Sequence, residues 1–326
     1  MTLGQVFIGH LTQDDILFKD TGELIPDNLG GATIYAASGA SIWSKDNHIV
    51  SKVGKNYPYE KLKNFCEKRN IDISAIRKTD CNGIELIIEY DSGMERKFIA
   101  KENSGDNYSF APEADDIPED LIKGNDVFHI TIIPVEMQIE IAKRIKEYPN
   151  KSITLDPLSW DIVKDKKALW LELFKHVDYP MLSKLELLAF QREIYGNFNN
   201  NISLNFLPQF KSDFNIKNMV LKAGSKGSYL ALGDRITHIP SYPTVPKDVT
   251  GAGDAFAGGF AVAQDKSESL LTGMYYGTVS ASYIIEDFGF EHIQNTDETS
   301  KLQRLQYLKN EMKENEQENL PGNKAI

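Results

Sequence analysis

A doubly wound α/β fold, with a mostly parallel sheet, helices on both faces and a small β-sheet lid, is the architecture this sequence predicts. Three observations carry that expectation. Short apolar runs ending in glycine or aspartate alternate with segments of helical periodicity, as in a parallel sheet buried on both faces. Weakly alternating strands joined by turn residues occur in two separated places, which suits a small sheet assembled from non-adjacent hairpins. The stretch PKDVTGAGDAFAGGF, residues 246–260, places small residues at the mouth of a helix, where backbone N–H groups can crowd around an anion.

In chain order, residues 5–9 form a buried first strand whose carboxyl end faces the site. Asp14 follows as a plausible ligand group, by its position just past the first strand, whereas Asp15 as readily starts a turn. Residues 16–19 and 23–25 make a hairpin around Asp20-Thr21-Gly22. Gly30 and Gly31 give conformational freedom ahead of an alanine-rich helix, 34–43, although a bare glycine pair is also an ordinary loop. A strand at 48–53, a helix at 59–69 and a second hairpin, 83–90 with 96–100, come next. On that hairpin Arg96 reads first as a solvated strand residue. Residues 127–132, 135–148 and 152–155 form a βαβ unit that ends at Asp156-Pro157.

His129 and His176 have no partner at metal-ligand spacing and read as structural. Glu186 opens a helix just after Ser183, where a carboxylate compensates the helix dipole at the surface. Residues 197–201 form a surface loop. Strands at 219–221 and 228–232 bracket the turn from Lys222 to Gly227, whose Gly224 and Gly227 either admit a ligand close to the backbone or simply turn a hairpin. A long helix spans 267–285, and Leu302, Leu305, Leu308 and Met312 mark one face of a last helix. From Lys313 onward the chain is charged and amide-rich, as in a frayed tail.

Within the glycine-rich stretch, Gly251, Ala252 and Gly253 are the candidate anion hole. Asp254 lies in the first helical turn beside it, where a carboxylate makes sense as a proton acceptor from an attacking hydroxyl. A glycine pair followed by aspartate is also a common loop-to-helix junction. No Lys-Ser or Lys-Thr follows the glycines, so a Walker phosphate loop is excluded, and the glycine spacing misses the dinucleotide fingerprint.

DVTGAGDAFAGGF resembles the C-terminal signature of the PfkB, or ribokinase-like, family of sugar and nucleoside kinases, and the resemblance runs over about residues 6–290. It implies transfer of the ATP γ-phosphoryl group to a hydroxyl of a sugar or polyol, with Asp254 as base and the amides of Gly251, Ala252 and Gly253 as anion hole. It further implies that Asp14, Gly30, Gly31 and Tyr35 meet the acceptor, the di-glycine acting as a hinge. Lys222, Gly224, Gly227 and Thr250 would line the nucleotide site. Glu186 stands in the family's Asn-x-x-Glu motif, with Ser183 in place of Asn, and would act on Mg²⁺ through water. ATP and Mg²⁺ are the implied cofactors, with room for a monovalent cation near Asp248. Tyr35 departs from the Asn that many sugar kinases of the group carry.

With 326 residues the chain fits one kinase domain over 1–300, with lid segments at about 15–30 and 83–103, and a C-terminal helix and flexible tail over 301–326. A net charge of -11 argues against nucleic acid or an anionic membrane as partner, so phosphate must be met locally by amides, metal or a few cations. Two cysteines without metal-ligand spacing suit a reducing cytoplasm, and neither a signal peptide nor a membrane span is evident. An open lid edge allows either a monomer or a homodimer. A nucleoside kinase of the same family and a catalytically silent sugar or nucleotide sensor are the alternatives.

Overall fold

The computed structural model describes residues 4–91, 96–199, 201–265 and 268–318. The chain opens on β1 (Gln5–Ile8), β2 (Thr12–Phe18) and β3 (Glu23–Gly30), then α1 (Ala32–Ser41), β4 (Asn47–Val53), α2 (Tyr59–Arg69) and β5 (Ile71–Lys78). It continues through β6 (Ile84–Tyr90), β7 (Arg96–Ala100) and the short α3 (Asn107–Phe110) and α4 (Glu119–Gly124). β8 (Val127–Ile130), α5 (Val135–Lys146), β9 (Ser152–Leu155), α6 (Lys167–Phe174), β10 (Tyr179–Ser183), α7 (Lys184–Glu193) and α8 (Phe206–Asp213) follow. The last part contains β11 (Asn218–Lys222), β12 (Ser228–Leu232), β13 (Arg235–Ile239), α9 (Ala252–Asp265), α10 (Leu270–Ile284) and α11 (Glu298–Glu318).

Nine strands form the large sheet in the order β13-β12-β11-β10-β9-β8-β1-β4-β5. The run from β11 to β5 is parallel, and β12 and β13 extend it as an antiparallel meander. Strand order reverses between β1 and β8, so the crevice beyond their carboxyl ends is where such a sheet receives ligands. The pleat sends alternate residues to two cores. Phe7, Met181 and Val220 face the layer that includes α1, α9 and α10, whereas Val6, Ile8, Leu182, Met219 and Leu221 face the layer of α5 to α8. Both faces are therefore apolar, and the strands read as continuous hydrophobic runs.

The small sheet has the order β3-β2-β6-β7. Its two hairpins join through a parallel pairing of β2 with β6, from Thr12↔Ile84 to Phe18↔Tyr90. This is the sheet of non-adjacent hairpins expected from sequence; the turn at 92–95 lies outside the described residues.

Three expectations need correction. Asp15 does not start a turn: β2 continues through it with a register shift against β3 between Asp14 and Ile16, and its carboxylate pairs with Lys101 at 2.6 Å. β5 is unheralded, because as an edge strand it leaves Asp72, Ser74, Arg77 and Lys78 polar and largely in solvent, so no apolar run forms. The last helix passes Lys313 and reaches Glu318; Glu, Lys and Gln suit a solvated tail but are also strong helix formers. Residues 319–326 lie outside the described residues.

Candidate active site

Parallel strands end on one rim, and that rim gathers the charged groups. Asp156 follows β9, while Ser183 and Lys222 end β10 and β11 directly opposite each other. Lys222 Nζ donates to Asp156 Oδ1 at 2.7 Å, with both side chains nearly buried. Ser183 caps α7 in a reciprocal box: its Oγ accepts from the Glu186 N–H at 3.2 Å, and Glu186 Oε2 accepts from the Ser183 N–H at 2.6 Å. Glu186 is only partly exposed. Burial pushes its pKa up to about 7, with Asp156 adding to the rise and Lys222 and Ser183 opposing it. Burial alone would lower the Lys222 ammonium, but Asp156, Glu186 and Asp254 outweigh it and raise that pKa.

The glycine-rich loop arrives over this cluster. Gly251 has φ +73, and a Cβ there would lie 2.0 Å from Tyr35 Cδ1, so only glycine lets the loop close on that ring. α9 begins at Ala252 with Asp254 in its first turn. A Cβ on Gly253 would stand 3.5 Å from Lys222 Nζ. The ammonium therefore lies against the first turn of α9. Burial pushes Asp254 up to about 7; Asp156 and Glu186 reinforce the shift, and Lys222 and Arg96 oppose it.

A second carboxylate sits on the small sheet. Asp14 is 5% exposed, and Thr12 Oγ1 donates to its Oδ1 at 2.8 Å. Burial is the main cause that brings its pKa up to about 7, with Asp15 adding and Thr12 and Lys101 opposing. The di-glycine makes room for it. A Cβ on Gly30 would fall 1.9 Å from Asp14 Oδ2, and one on Gly31, at φ +100, 2.4 Å from the His10 carbonyl. Tyr35 is buried, with its ring edge-on to Phe290 at 5.2 Å. Burial raises its phenol pKa well above the ordinary value, and Asp248, Asp14, Tyr90 and Asp254 add to that.

Thr250 joins the small sheet to the loop. Its N–H donates to Asp248 Oδ1 at 2.7 Å, Tyr90 Oη donates to the same oxygen, and Arg96 Nη1 donates to Thr250 Oγ1 at 3.0 Å. Arg96 is thus not merely solvated. Gly224 and Gly227, at φ +58 and +84, shape the β11–β12 turn, and a Cβ on Gly227 would strike the Ile239 carbonyl at 2.1 Å. Lys222 parts company with those glycines, since its side chain joins the carboxylate cluster. Sequence reasoning left Asp156 and Tyr90 without a role. An aspartate closing an apolar strand was a signal for the first; nothing local marks the second. His129 stands behind Asp156, its Nδ1 2.8 Å from Thr154 Oγ1 and its Nε2 3.8 Å from Asp156 Oδ2. Burial holds its pKa down to about 4, so it is neutral. His176 lies 3.4 Å from Glu172 on α6, away from this cluster in sequence and fold.

A doubly wound sheet whose C-terminal rim carries a glycine-rich loop set over Lys222, with a small sheet pairing apart from it, defines a protein of the ribokinase fold. The chain belongs to the pfkB family of carbohydrate kinases, whose family model matches residues 8–296. It is 25% identical over 292 residues to the cytidine kinase of Thermococcus kodakarensis, spanning 88% of this chain and 98% of that one. Ribokinase from Thermotoga maritima superposes with a TM-score of 0.74 at 21% identity, covering 93% of this chain and 99% of its own. Ribokinase from Arabidopsis thaliana, solved with ribose and ATP, gives 0.71 at 19% identity, with 94% and 99% covered. The chain is a kinase whose relatives phosphorylate sugars or nucleosides, as their names state. No helix among the described residues is long and apolar enough to cross a membrane.

Proposed function

We propose that this protein transfers the γ-phosphoryl group of ATP to a hydroxyl of a small sugar or polyol, with Asp254 as base. One observation carries the reading: Asp254, with a pKa of about 7, stands beside an anion loop underlain by the Lys222 ammonium. A carboxylate of that pKa can take a proton at neutral pH and release it afterwards. Lys222 and the N–H groups of Gly251, Ala252 and Gly253 would hold phosphoryl oxygens where negative charge grows. Asp14 would orient the acceptor hydroxyls, and Tyr35 would wall the space between acceptor and loop. The turn at Gly224 and Gly227, with Thr250, would border the nucleotide.

Mg²⁺, when bound, would neutralise phosphate charge. Glu186, at the rim beside Ser183, would hold that ion through water. A monovalent cation near Asp248 would share a carboxylate whose Oδ1 already accepts from Thr250 and Tyr90. Cytoplasmic residence and a small-molecule partner go with this reading.

A nucleoside acceptor is favoured by a specific observation, the alignment with a cytidine kinase over 98% of that protein's length. ADP release from Mg-ATP against hexoses, pentoses, inositols and nucleosides, with Asp254→Asn run in parallel, separates the readings. Turnover of one compound that vanishes in the variant supports the kinase and names its acceptor. ATP binding without turnover on any compound would put a silent sensor in its place.

A further inference from the structure

The small sheet reaches the glycine-rich loop through two side chains, the hydroxyl of Tyr90 on β6 and the guanidinium of Arg96 on β7. Its proton inventory has one solution. Arg96 can only donate, so Thr250 Oγ1 accepts from it at 3.0 Å. Tyr90 spends its single proton on Asp248 Oδ1, so across the 2.8 Å contact between Tyr90 Oη and Thr250 Oγ1 the threonine is the donor. Asp248 Oδ1 also takes the Thr250 N–H. The hydroxyl protons of Tyr90 and Thr250 are thus both used within the relay. Tyr90, Asp248 and Thr250 are 1%, 2% and 8% exposed, so this relay works out of water. Burial and Asp248 hold the phenol pKa above its ordinary value, so the proton stays on Tyr90.

Placement gives the relay its consequence. Thr250 immediately precedes Gly251, so fixing its N–H and hydroxyl fixes the entry to the anion loop. Tyr90 pairs with Phe18 in register while Asp14 pairs with Leu86. Tyr90 is four residues beyond Leu86 on β6, an even step, so it shares the pleated face that presents Asp14. The Tyr90 ring stacks on Phe18 at 5.7 Å and meets Phe288 edge-on at 6.3 Å, which sets the phenol without help from the hydroxyl.

We propose that Tyr90 is a positioning residue that couples the small sheet to the phosphate loop, so that seating the sheet over the acceptor and completing the anion site are one event. The inference rests on the phosphoryl-transfer reading above. Such coupling is reciprocal: a phosphate ligand on the loop must tighten the sheet as much as the sheet tightens the loop.

Hydrogen exchange tests it on the full chain with Mg-AMP-PNP as the probe, comparing wild type with Tyr90→Phe, which keeps the ring packing and removes only the hydroxyl. In the wild type the probe is expected to slow exchange both at the start of α9 and in β6 and β7. In Tyr90→Phe the slowing at α9 persists, while the added protection in β6 and β7 falls by roughly 10-fold or more, the worth of a hydrogen bond to a charged group. Thr250→Val, which cuts the same relay from the loop side, should lose the β6–β7 response in the same way, and it answers the question if Tyr90→Phe folds poorly. A merely structural Tyr90 would loosen β6 and β7 equally with and without the probe. Full retention of the probe-induced protection in both variants overturns the coupling alone. No response at α9 in the wild type overturns the phosphoryl-transfer reading and the coupling with it.

Discussion

Asp14 and Asp254, like Glu186, have pKa values raised to about 7, yet the first two differ in almost everything around them. Asp254 stands in the first turn of α9, partly open to the rim, with Lys222 and Arg96 opposing the effect of Asp156 and Glu186. Asp14 is sealed into β2, with a hydroxyl donor from Thr12 and Lys101 acting only weakly. The difference teaches that a raised pKa alone does not make a base. At Asp254 opposing charges balance beside the glycine-rich loop, which under the proposed reading would let the proton move when a phosphoryl group arrives. At Asp14 the carboxylate is enclosed and has hydroxyl-bonding capacity to spare, which suits holding an acceptor.

The sharpest way to break this comparison is to neutralise each member. Asp254→Asn should lower kcat by roughly 10²-fold or more with ATP affinity changed only a few-fold, the share of a positioned base. Steady-state kinetics and ATP titration read it, and an unchanged kcat would remove Asp254 from the role. Lys222→Met should cost about 10²-fold in kcat, since it strips a cation from the developing charge. It also leaves Asp156, Glu186 and Asp254 without the ammonium that tempers them, so the Asp254 pKa should rise and the acidic limb of the kcat–pH profile should move to higher pH. A profile that stays put would disconnect Lys222 from the base. Asp14→Asn should act on the other parameter, raising KM for the acceptor by roughly 10-fold or more while kcat falls less, because a charge-assisted hydrogen bond is weakened rather than the chemistry removed. An equal fall in kcat for Asp14→Asn and Asp254→Asn would erase the distinction drawn between them.

Much of this site was legible in the sequence because its signals are local. A helix mouth built from Gly251, Ala252 and Gly253 with Asp254 behind it is a contiguous string, and Gly30 and Gly31 announce a close approach that proves to be to Asp14 and to the His10 carbonyl. The parallel sheet was readable because strands buried on both faces are continuous apolar runs. What sequence could not give were the contacts that the fold makes between distant segments. Lys222 reads as part of a nucleotide turn, yet its ammonium reaches Asp156, 66 residues away. Tyr90 reads as one alternating strand residue and finds Asp248 across a separation of 158. β5 escaped because an edge strand has no apolar run to betray it. Asp15 escaped because the pairing of β2 with β6, unbroken through Asp15↔Ile87, keeps the chain extended where its composition suggests a turn.

The smallest effect expected is on stability, and it isolates the enclosed member of the pair. The folded-state pKa of Asp14, about 7, lies above the ordinary aspartate value of 3.8, so between those two pH values the folded chain binds more protons at this group than the unfolded chain does. Stability from Asp14 is therefore greatest below pH 3.8, declines as pH rises through that window, and is lowest above about pH 7, where the buried carboxylate is ionised. Asp14→Asn keeps an oxygen for the Thr12 hydroxyl and cannot ionise. Its melting temperature should exceed that of the wild type by a few degrees at pH 8, and the gap should close as the buffer is taken toward pH 4. Thermal melts across that range decide the matter. A difference that is constant with pH would mean that Asp14 does not carry the burial cost assigned to it.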